Sequence, residues 1–439
     1  MFSAFLNWFK PPLAQPRRSA EDIRRLYPLY RWRVMEATYI AYAAFYVVRN
    51  NFAPVSKEIG EALHYDKLMI GDIIAYSAIA YGVGKFVMGY LADRSDCRKY
   101  LFAAMALTAA LNFGFGGATD FRLHLALWTL NGFVQGMGYA PCLRGLSHWY
   151  SVKERGLYLG IWNTSHNIGG GIAGYLAAKC AEHYSWPSAF LVPGVIASVC
   201  AVYLLWRMLE TPQSRGLPPV EEYKNDYPPE GHAGQERELT NREIFVQHIL
   251  KNRLLWVLAL ANVFIYIARY SLVDWGPTYL KEVKGATLGA GGFSTLVIEF
   301  AGAAGMLALG WGSDLLGGRR GRVAALSMIP LLAAFLALIY TPKGMLWLDM
   351  VLFGLVGFFV YTPVMFSGVI ALDLTSKKAV GTATGFVGLF GYVGRVIQGK
   401  GLGWTVQHYG WNAGLCAVIV CTFVAIFLLL FLWNVRPRG

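Results

Sequence analysis

Long apolar runs separated by short polar loops make up most of the chain. Because one crossing of a bilayer needs about 20 apolar residues, this pattern predicts an all-α membrane protein with twelve transmembrane helices. The predicted spans are 34–54, 69–91, 99–118, 124–147, 157–181, 187–208, 252–272, 289–313, 323–341, 346–370, 380–405 and 411–434.

One polar interruption, residues 209–251, is much longer than the other loops and is rich in proline, glycine and charge, as linkers are. Near its end, in "TNREIFVQHIL", Thr240 and Glu243 have the spacing of a capping box, which predicts an amphipathic segment on the membrane surface. The predicted organisation is an N-terminal tail (1–33), a six-helix bundle (34–208), a linker (209–251), a second six-helix bundle (252–434) and a short C-terminus (435–439).

The two predicted bundles carry the same landmarks in the same order. Arg49 and Arg269 each end a Tyr-x-x-Arg sequence and are 220 residues apart (269 − 49). The aspartates that follow "GYLA" and "GWGS" are 221 residues apart (314 − 93), and the tyrosines of "GYAP" and "VYTP" are 222 apart (361 − 139). A nearly constant offset indicates two pseudo-symmetric halves. Parallel repeats of this kind place a substrate site at mid-membrane, between the halves.

Composition supports a membrane protein, and the distribution of charge along the chain predicts its orientation. Charged residues are 15% of the 439 positions and mean hydropathy is +0.41, whereas a soluble domain carries about 25% charge. The net charge of +13 comes from clusters in loops, which argues against nucleic acid binding. Clusters such as "DRSDCRK" and "GGRRGR" lie on the same side as both termini, so we expect a multi-pass protein of the cell inner membrane with cytoplasmic termini.

Arg49 and Arg269 stand out because each lies within an apolar run. An ionised side chain at the bilayer centre costs about 2.5 to 3.5 kcal/mol on insertion scales, so such residues usually serve a function. The planar guanidinium group binds two phosphate oxygens at once, and two symmetry-related arginines that face one cavity could hold a phosphate dianion. The alternative is that each arginine pairs with an acid of its own half. Asp274 and Glu299 are available in the second half, but the first offers only Glu36, near the cytoplasmic end.

Other polar residues of the apolar runs complete a predicted substrate site. Lys85 is a further intramembrane cation, unless its amine reaches the membrane surface. His166 could follow the charge of a bound phosphate, or only hydrogen-bond the helix backbone. The remaining predicted substrate-binding residues are Tyr42, Tyr46, Tyr81, Asn163, Tyr266, Tyr361 and Tyr392. We found no metal-ligand cluster, nucleophile elbow or nucleotide fingerprint, so we expect neither an enzyme nor a cofactor.

The loop "GYLADRSDCRK" and its echo in the second half are similar to the signature of the major facilitator superfamily. Over nearly its full length the chain resembles the organophosphate:phosphate antiporters of that superfamily, most specifically in "WNTSHNIGGG", "ETPQSRGLPPVEEYKNDYP", "ANVFIYIARYSLVDWGPTYLKEVK" and "KKAVGTATGFVGLFGYVG". The resemblance implies two bundles that rock about a central site, exchange of an external organophosphate for internal inorganic phosphate, and a functional monomer. It also implies phosphate-binding roles for Arg49 and Arg269, site roles for Lys85, His166 and the tyrosines, and charge pairing by the bridging acids Asp274 and Glu299.

Overall similarity favours glycerol-3-phosphate as the substrate, but the chain departs from that branch of the family in three ways. In one of them, Tyr139 and Ala140 replace an expected Trp-Pro. Asn50 stands where the glycerol-3-phosphate transporters have a lysine, and the sequence "VRNNF" resembles the phosphoglycerate transporters. Arg395 and Lys400 place charges in the eleventh span, as hexose-phosphate transporters do. Arg395 could replace the cation missing at position 50, contact the substrate, or lie at the lipid interface. A membrane sensor of external sugar phosphate that signals to a kinase is the alternative from another functional class.

Overall fold

The computed structural model describes residues 8–92, 94–226, 249–316, 319–375 and 380–435, and the regular elements of these residues are helices. The first half contains α1 (Ala20–Val47), α2 (Ser56–Leu63), α3 (Lys67–Ala92), α4 (Cys97–Gly117), α5 (Phe121–Gln135), α6 (Tyr139–Trp149), α7 (Val152–His183), α8 (Ser188–Arg207) and the short α9 (Val220–Lys224). The second half contains α10 (Arg253–Val283), α11 (Leu288–Leu315), α12 (Arg320–Tyr340), α13 (Leu346–Leu374), α14 (Val380–Ile397), a π-helical segment (Gln398–Leu402) and α15 (Gly403–Leu430).

Helix lies within each of the twelve predicted spans, and the predicted all-α fold is confirmed. By length and apolar composition, eight helices of the described residues could cross a membrane. One of these eight covers the two final predicted spans, which run on without a loop. Gly410 separates them, because its φ of 80° is a left-handed conformation that breaks the helix and that glycine adopts without strain.

The first and fourth predicted spans have wrong boundaries. Helix α1 begins at Ala20 instead of residue 34, where the Ser19 side chain accepts a hydrogen bond from the backbone N–H of Asp22. It ends at Val47, so Arg49 follows the helix instead of lying inside it. The fourth span is divided into α5 and α6 at residues 136–138.

The beginning of the predicted linker is held against the first half. The backbone N–H groups of Gln15 and Arg18 donate to the carbonyl oxygens of Gln213 and Gly216, both at 2.9 Å. The ring of Tyr27 stacks on that of Tyr223 with centroids 3.7 Å apart. The capping-box residues Thr240 and Glu243 lie outside the described residues.

Helices α7 and α11 pack tightly against each other and join the two halves. A methyl group on Gly292 would lie 2.6 Å from the carbonyl oxygen of Gly174, and one on Gly174 would lie 2.5 Å from Thr295. Larger side chains would therefore force the helices apart, as is usual where small residues allow close packing of membrane helices.

Polar contacts between the halves concentrate at one end of the bundle, which we call the distal end because it lies opposite the chain termini. Ser56 hydrogen-bonds Thr278 at 2.9 Å. The ammonium group of Lys281 donates to the Pro54 carbonyl at 2.8 Å and to the Glu58 carboxylate at 2.6 Å. We call these contacts, together with the ion pairs Lys67–Glu282 (3.1 Å) and Lys400–Asp72 (2.8 Å), the distal seal.

In the part of the chain that the structure describes, the hydrogen bonds and ion pairs between the halves lie at mid-depth or at the distal end. The halves are therefore closed against each other at the distal end.

Candidate anion-binding site

A turn anchored by amides positions Arg49 just after α1. The carbonyl oxygen of Val48, freed by the end of the helix, accepts hydrogen bonds from the side-chain amides of Asn112 and Asn131, each at 3.2 Å. Asn51 donates to Asn112 at 2.9 Å and to a backbone carbonyl of α8 at the same distance. Broken helices are tolerated at membrane depth where such partners satisfy the freed backbone groups, so this network fixes the direction of Arg49.

The guanidinium group of Arg49 lies against aromatic rings. Its central carbon is 3.8 Å from the centre of the Tyr81 ring and 5.3 Å from that of Tyr46. Ring faces attract cations, but they do not neutralise the charge.

Arg269 has an equivalent environment in the second half, although it lies within an unbroken helix, α10. Its guanidinium carbon is 4.2 Å from the ring of Tyr361 and 5.0 Å from that of Tyr270. Its Nε is buried and has no hydrogen-bond partner. Among the described residues, neither Arg49 nor Arg269 has a carboxylate within ion-pair distance. Glu299, of the same half, lies near Arg269 without forming an ion pair with it, so the alternative in which an acid of its own half neutralises the arginine stays open for Arg269.

His166 connects the two arginine environments. Its ring centre is 5.5 Å from that of Tyr46, which contacts Arg49, and 6.4 Å from that of Tyr361, which contacts Arg269. The Nδ1 atom hydrogen-bonds the carbonyl oxygen of Asn163. Because a carbonyl only accepts, Nδ1 carries the proton and Nε2 is left to face other groups. Asn163 thus contributes to the site through its backbone carbonyl, which accepts this hydrogen bond.

Lys85 lies among three tyrosine rings. Its Nζ is 5.0 Å from the ring centre of Tyr139, 5.7 Å from Tyr392 and 5.8 Å from Tyr81. Since Tyr392 belongs to the second half and Tyr81 also contacts Arg49, Lys85 extends the set of cations toward the terminal end. This position disagrees with the alternative in which the amine reaches the membrane surface.

The remaining predicted tyrosines belong to two aromatic groups, which Arg49 connects through its contacts with Tyr46 and Tyr81. The Tyr42 ring is 5.4 Å from Tyr46 and 4.6 Å from Trp162. The Tyr266 ring is 5.9 Å from Tyr392, whose ring is 5.2 Å from Tyr81. The structure thus brings all six tyrosines together with Arg49, Arg269, Lys85 and His166.

The predicted bridging acids have different partners. Glu299 is buried and accepts a hydrogen bond from the amide of Asn167, in the other half, at 3.0 Å. Asp274 forms a two-point ion pair with Arg395, at 3.2 and 3.4 Å. This geometry agrees with the hypothesis that Arg395 replaces the cation missing at position 50.

Lys400 lies apart from the arginines, in the distal seal. Its side chain is 58% exposed and it pairs with Asp72. A small cavity of about 20 Å³ lies beside Arg49, and residues of both halves line it, among them Asn50, Thr295 and Arg395.

Three residues of the site were missed in the sequence. Tyr270 contacts both Arg269 and, at 4.0 Å, Arg395. Asn167 binds Glu299, and Tyr139 faces Lys85. A signal existed for Asn167, which is in the same "WNTSHNIGGG" motif as His166, and for Tyr139, where the sequence departs from its family. Tyr270 gave no signal, because its contacts depend on how α10 and α14 face each other.

Comparison with known proteins identifies the family. Residues 38–399 match the Major Facilitator Superfamily. The chain belongs to the major facilitator superfamily. Among curated proteins, the glycerol-3-phosphate transporter of Bacillus subtilis (strain 168) is 38% identical over 99% of each chain. A probable hexose phosphate transport protein of Chlamydia pneumoniae is 35% identical over 100% of this chain and 99% of the relative.

These relatives confirm the resemblance of this superfamily member to the organophosphate:phosphate antiporters, and they are transporters, not enzymes. A solved structure of a bacterial homolog to the human lysosomal transporter Spinster has the same fold. Its TM-score is 0.70 at 16% identity, over 92% of this chain and 95% of that one. This major facilitator protein is therefore a multi-pass membrane protein.

Proposed function

We propose that the protein is a secondary transporter that exchanges an external organophosphate for internal inorganic phosphate. The observation that carries the proposal is the pair of arginines, one from each half, that have no carboxylate within ion-pair distance among the described residues and are linked through His166. A phosphate dianion supplies two negative charges and several acceptor oxygens, which match two guanidinium groups. The substrate names of the relatives point to the same class of ligand.

The site also suggests how binding drives transport. Without an anion, Arg49 and Arg269 repel each other across the interface between the halves. A phosphate group held by both removes this repulsion and draws the terminal ends of the halves together. A ligand moves a conformational equilibrium only through its different affinity for the two states. Here that difference arises because each half supplies only one of the two arginines, so a single half cannot bind the phosphate with both. An unloaded carrier then crosses reluctantly, which enforces exchange.

The charge distribution of the loops supports a bacterial inner-membrane protein whose termini, and with them the terminal end, face the cytoplasm. The distal seal then closes the external side, which supports an inward-facing state. Internal phosphate would enter past Lys85, whose charge lies on that side of the arginines.

Glycerol-3-phosphate is the substrate that we favour. Asp274 neutralises Arg395 and Asn50 is uncharged, so neither of these two departures adds a free cation beside Arg49. The choice therefore rests on the similarity over nearly the whole chain to a glycerol-3-phosphate transporter. Hexose-6-phosphate is the runner-up, since a probable hexose phosphate transport protein is also similar over the whole chain.

The test is phosphate exchange in proteoliposomes that contain only this protein and are loaded with labelled phosphate. We expect efflux when glycerol-3-phosphate is added outside, and less or none with 3-phosphoglycerate. Arg49→Lys and Arg269→Lys should abolish it, whereas Arg122→Lys, at an exposed arginine of the distal end, should not.

Efflux without any external organophosphate would contradict obligatory exchange. If folded protein binds one of the compounds but gives no efflux, the transport function is wrong and the sensor alternative takes its place.

A further inference from the structure

An apolar groove runs along the outer surface of the first half, between α1 and α7. It has a volume of about 330 Å³ and is lined by Trp32, Met35, Glu36, Tyr39, Ile40 and Ile161. A hydrogen bond of 3.0 Å between Tyr39 and Thr164 links the two helices beside it. Three of the lining residues, Trp32, Ile40 and Ile161, are exposed, and none of the six contacts Arg49 or Arg269 in the site described above.

Two arginines lie at the terminal end of this groove, and one carboxylate lies beside them. Arg207, the last residue of α8, donates to Glu36 at 2.9 Å, and Glu36 itself lines the groove. Arg33 donates to the backbone carbonyls of residues 206 and 207, at 3.1 and 3.4 Å, so it lies beside Arg207. The Nε of Arg33 is buried and has no partner. Two cations and one anion leave a net charge of +1, to which nearby Arg215 adds.

The surroundings are those of a membrane–water interface. Trp32 and Trp206 flank the cluster with 62% and 71% of their surfaces exposed. Tryptophan concentrates at the level of the lipid headgroups, and arginines next to a span attract anionic lipids. The cluster is therefore at headgroup depth while the groove continues below it, at the depth of the acyl chains.

We propose that this surface is a binding site for an anionic phospholipid, whose phosphate contacts Arg33 and Arg207 and whose acyl chain occupies the groove. The local excess of positive charge complements an anionic headgroup. A free phosphate ion would use the arginines but leave the groove exposed, and a zwitterionic lipid would fill the groove but gain less from the charge.

The test is native mass spectrometry of the full-length protein in detergent, titrated with phosphatidylglycerol or with phosphatidylcholine of the same acyl chains. We expect wild type to bind phosphatidylglycerol more tightly than phosphatidylcholine. The double variant Arg33→Gln/Arg207→Gln should bind phosphatidylglycerol about 5- to 25-fold more weakly, since each arginine near a membrane surface contributes about fivefold. Arg122→Gln, at a single exposed arginine of the opposite end, should bind it as wild type does.

A second variant keeps the test decisive if the double variant does not fold. Ile40→Trp fills the groove, retains every charge, and should weaken binding of both lipids. Equal binding of the two lipids by wild type would overturn the proposal, as would unchanged phosphatidylglycerol binding in Ile40→Trp. Displacement of phosphatidylglycerol by inorganic phosphate or glycerophosphate, as effective as by more lipid, would show a site for free phosphate instead.

Discussion

At the scale of single residues, the site contains two kinds of arginine: those with no carboxylate at ion-pair distance among the described residues, and one that is paired with a carboxylate. Arg49 and Arg269 have aromatic neighbours in place of carboxylates, whereas Arg395 has Asp274. The same side-chain chemistry therefore serves two purposes, and only the unpaired guanidinium groups remain available to an anion.

Substituting either unpaired arginine by lysine should weaken phosphate binding while the protein stays folded. Lysine retains the charge but loses the planar pair of donors. Because hydrogen bonds to charged groups contribute about 1.5 to 3 kcal/mol, we expect about 10- to 100-fold weaker binding of inorganic phosphate to Arg269→Lys. Isothermal titration in detergent measures this. Tyr340→Phe, at an exposed ring outside the site, serves as the control, and unchanged affinity in Arg269→Lys would remove this residue from the site.

A double-substitution cycle decides the role of Arg395. Removing one partner of a buried ion pair costs about 3 to 5 kcal/mol because the other charge is left uncompensated. We therefore expect Arg395→Gln to lower the unfolding temperature in detergent, and Arg395→Gln/Asp274→Asn to recover most of the loss.

The transport rate of the double variant separates the two hypotheses. Rates near wild type indicate charge replacement. A stable double variant that no longer transports would show that Arg395 contacts the substrate.

At the scale of elements, the turn after α1 is the feature that places a charge at the centre of the protein. Four side-chain amide hydrogen bonds, through Asn51, Asn112 and Asn131, attach this turn to three other helices. The turn is thus held by specific bonds instead of by apolar packing alone.

Asn112→Leu should loosen the turn. The substitution preserves volume but removes one donor to Val48 and the acceptor for Asn51, and each buried polar group left unsatisfied costs about 1 to 3 kcal/mol. We expect a lower unfolding temperature and weaker phosphate binding, measured on the same preparation. Thr108→Val, at a buried hydroxyl of the same helix, is the control. Weaker stability with unchanged phosphate affinity would mean that the network does not position Arg49.

The helices could be predicted from the sequence more easily than their ends. Apolar runs locate every span, but hydropathy does not detect residues 20–33 of α1, whose charged side chains lie in the polar part of the helix. The end of α1 was missed because apolar residues continue to Val55, and only "NN" and Pro54 indicate a turn. The internal repeat identified Arg49 and Arg269, since symmetry adds information that a single position lacks. The pairing of Arg395 with Asp274 instead depends on the rotation of α14, which the repeat does not fix.

At the scale of the whole molecule, the distal seal supplies most of the hydrogen bonds and ion pairs that join the two halves in the described residues. Lys281 is its most buried cation, and it bonds to two groups of the opposite half. Loss of these bonds should favour the state that is open at the distal end.

Lys281→Gln should therefore shift the protein toward a distal-open state by about tenfold or more, since a charge-assisted hydrogen bond contributes about 1.5 to 3 kcal/mol. Electron spin resonance distances between labels at exposed distal positions 61 and 343 measure the shift, and a longer-distance population should grow. Lys57→Gln is a matched control, because its partner Glu61 lies in the same half. A label at position 61 would replace that partner, so the control carries its label at position 64 instead. An unchanged distance distribution in Lys281→Gln would show that the seal does not set the equilibrium.

The glycine contact between α7 and α11 has a mechanical consequence. If the halves turn about Gly174, the arm of α7 toward the terminal end spans 22 residues to Val152, and the arm toward the distal end spans 9 residues to His183. At about 1.5 Å per residue these arms measure roughly 33 and 14 Å. The same rotation would therefore open a gap more than twice as wide at the terminal end as at the distal end. Rotation about this point would give the two openings of the transport pathway different widths, and the narrower, distal opening would select substrates by size.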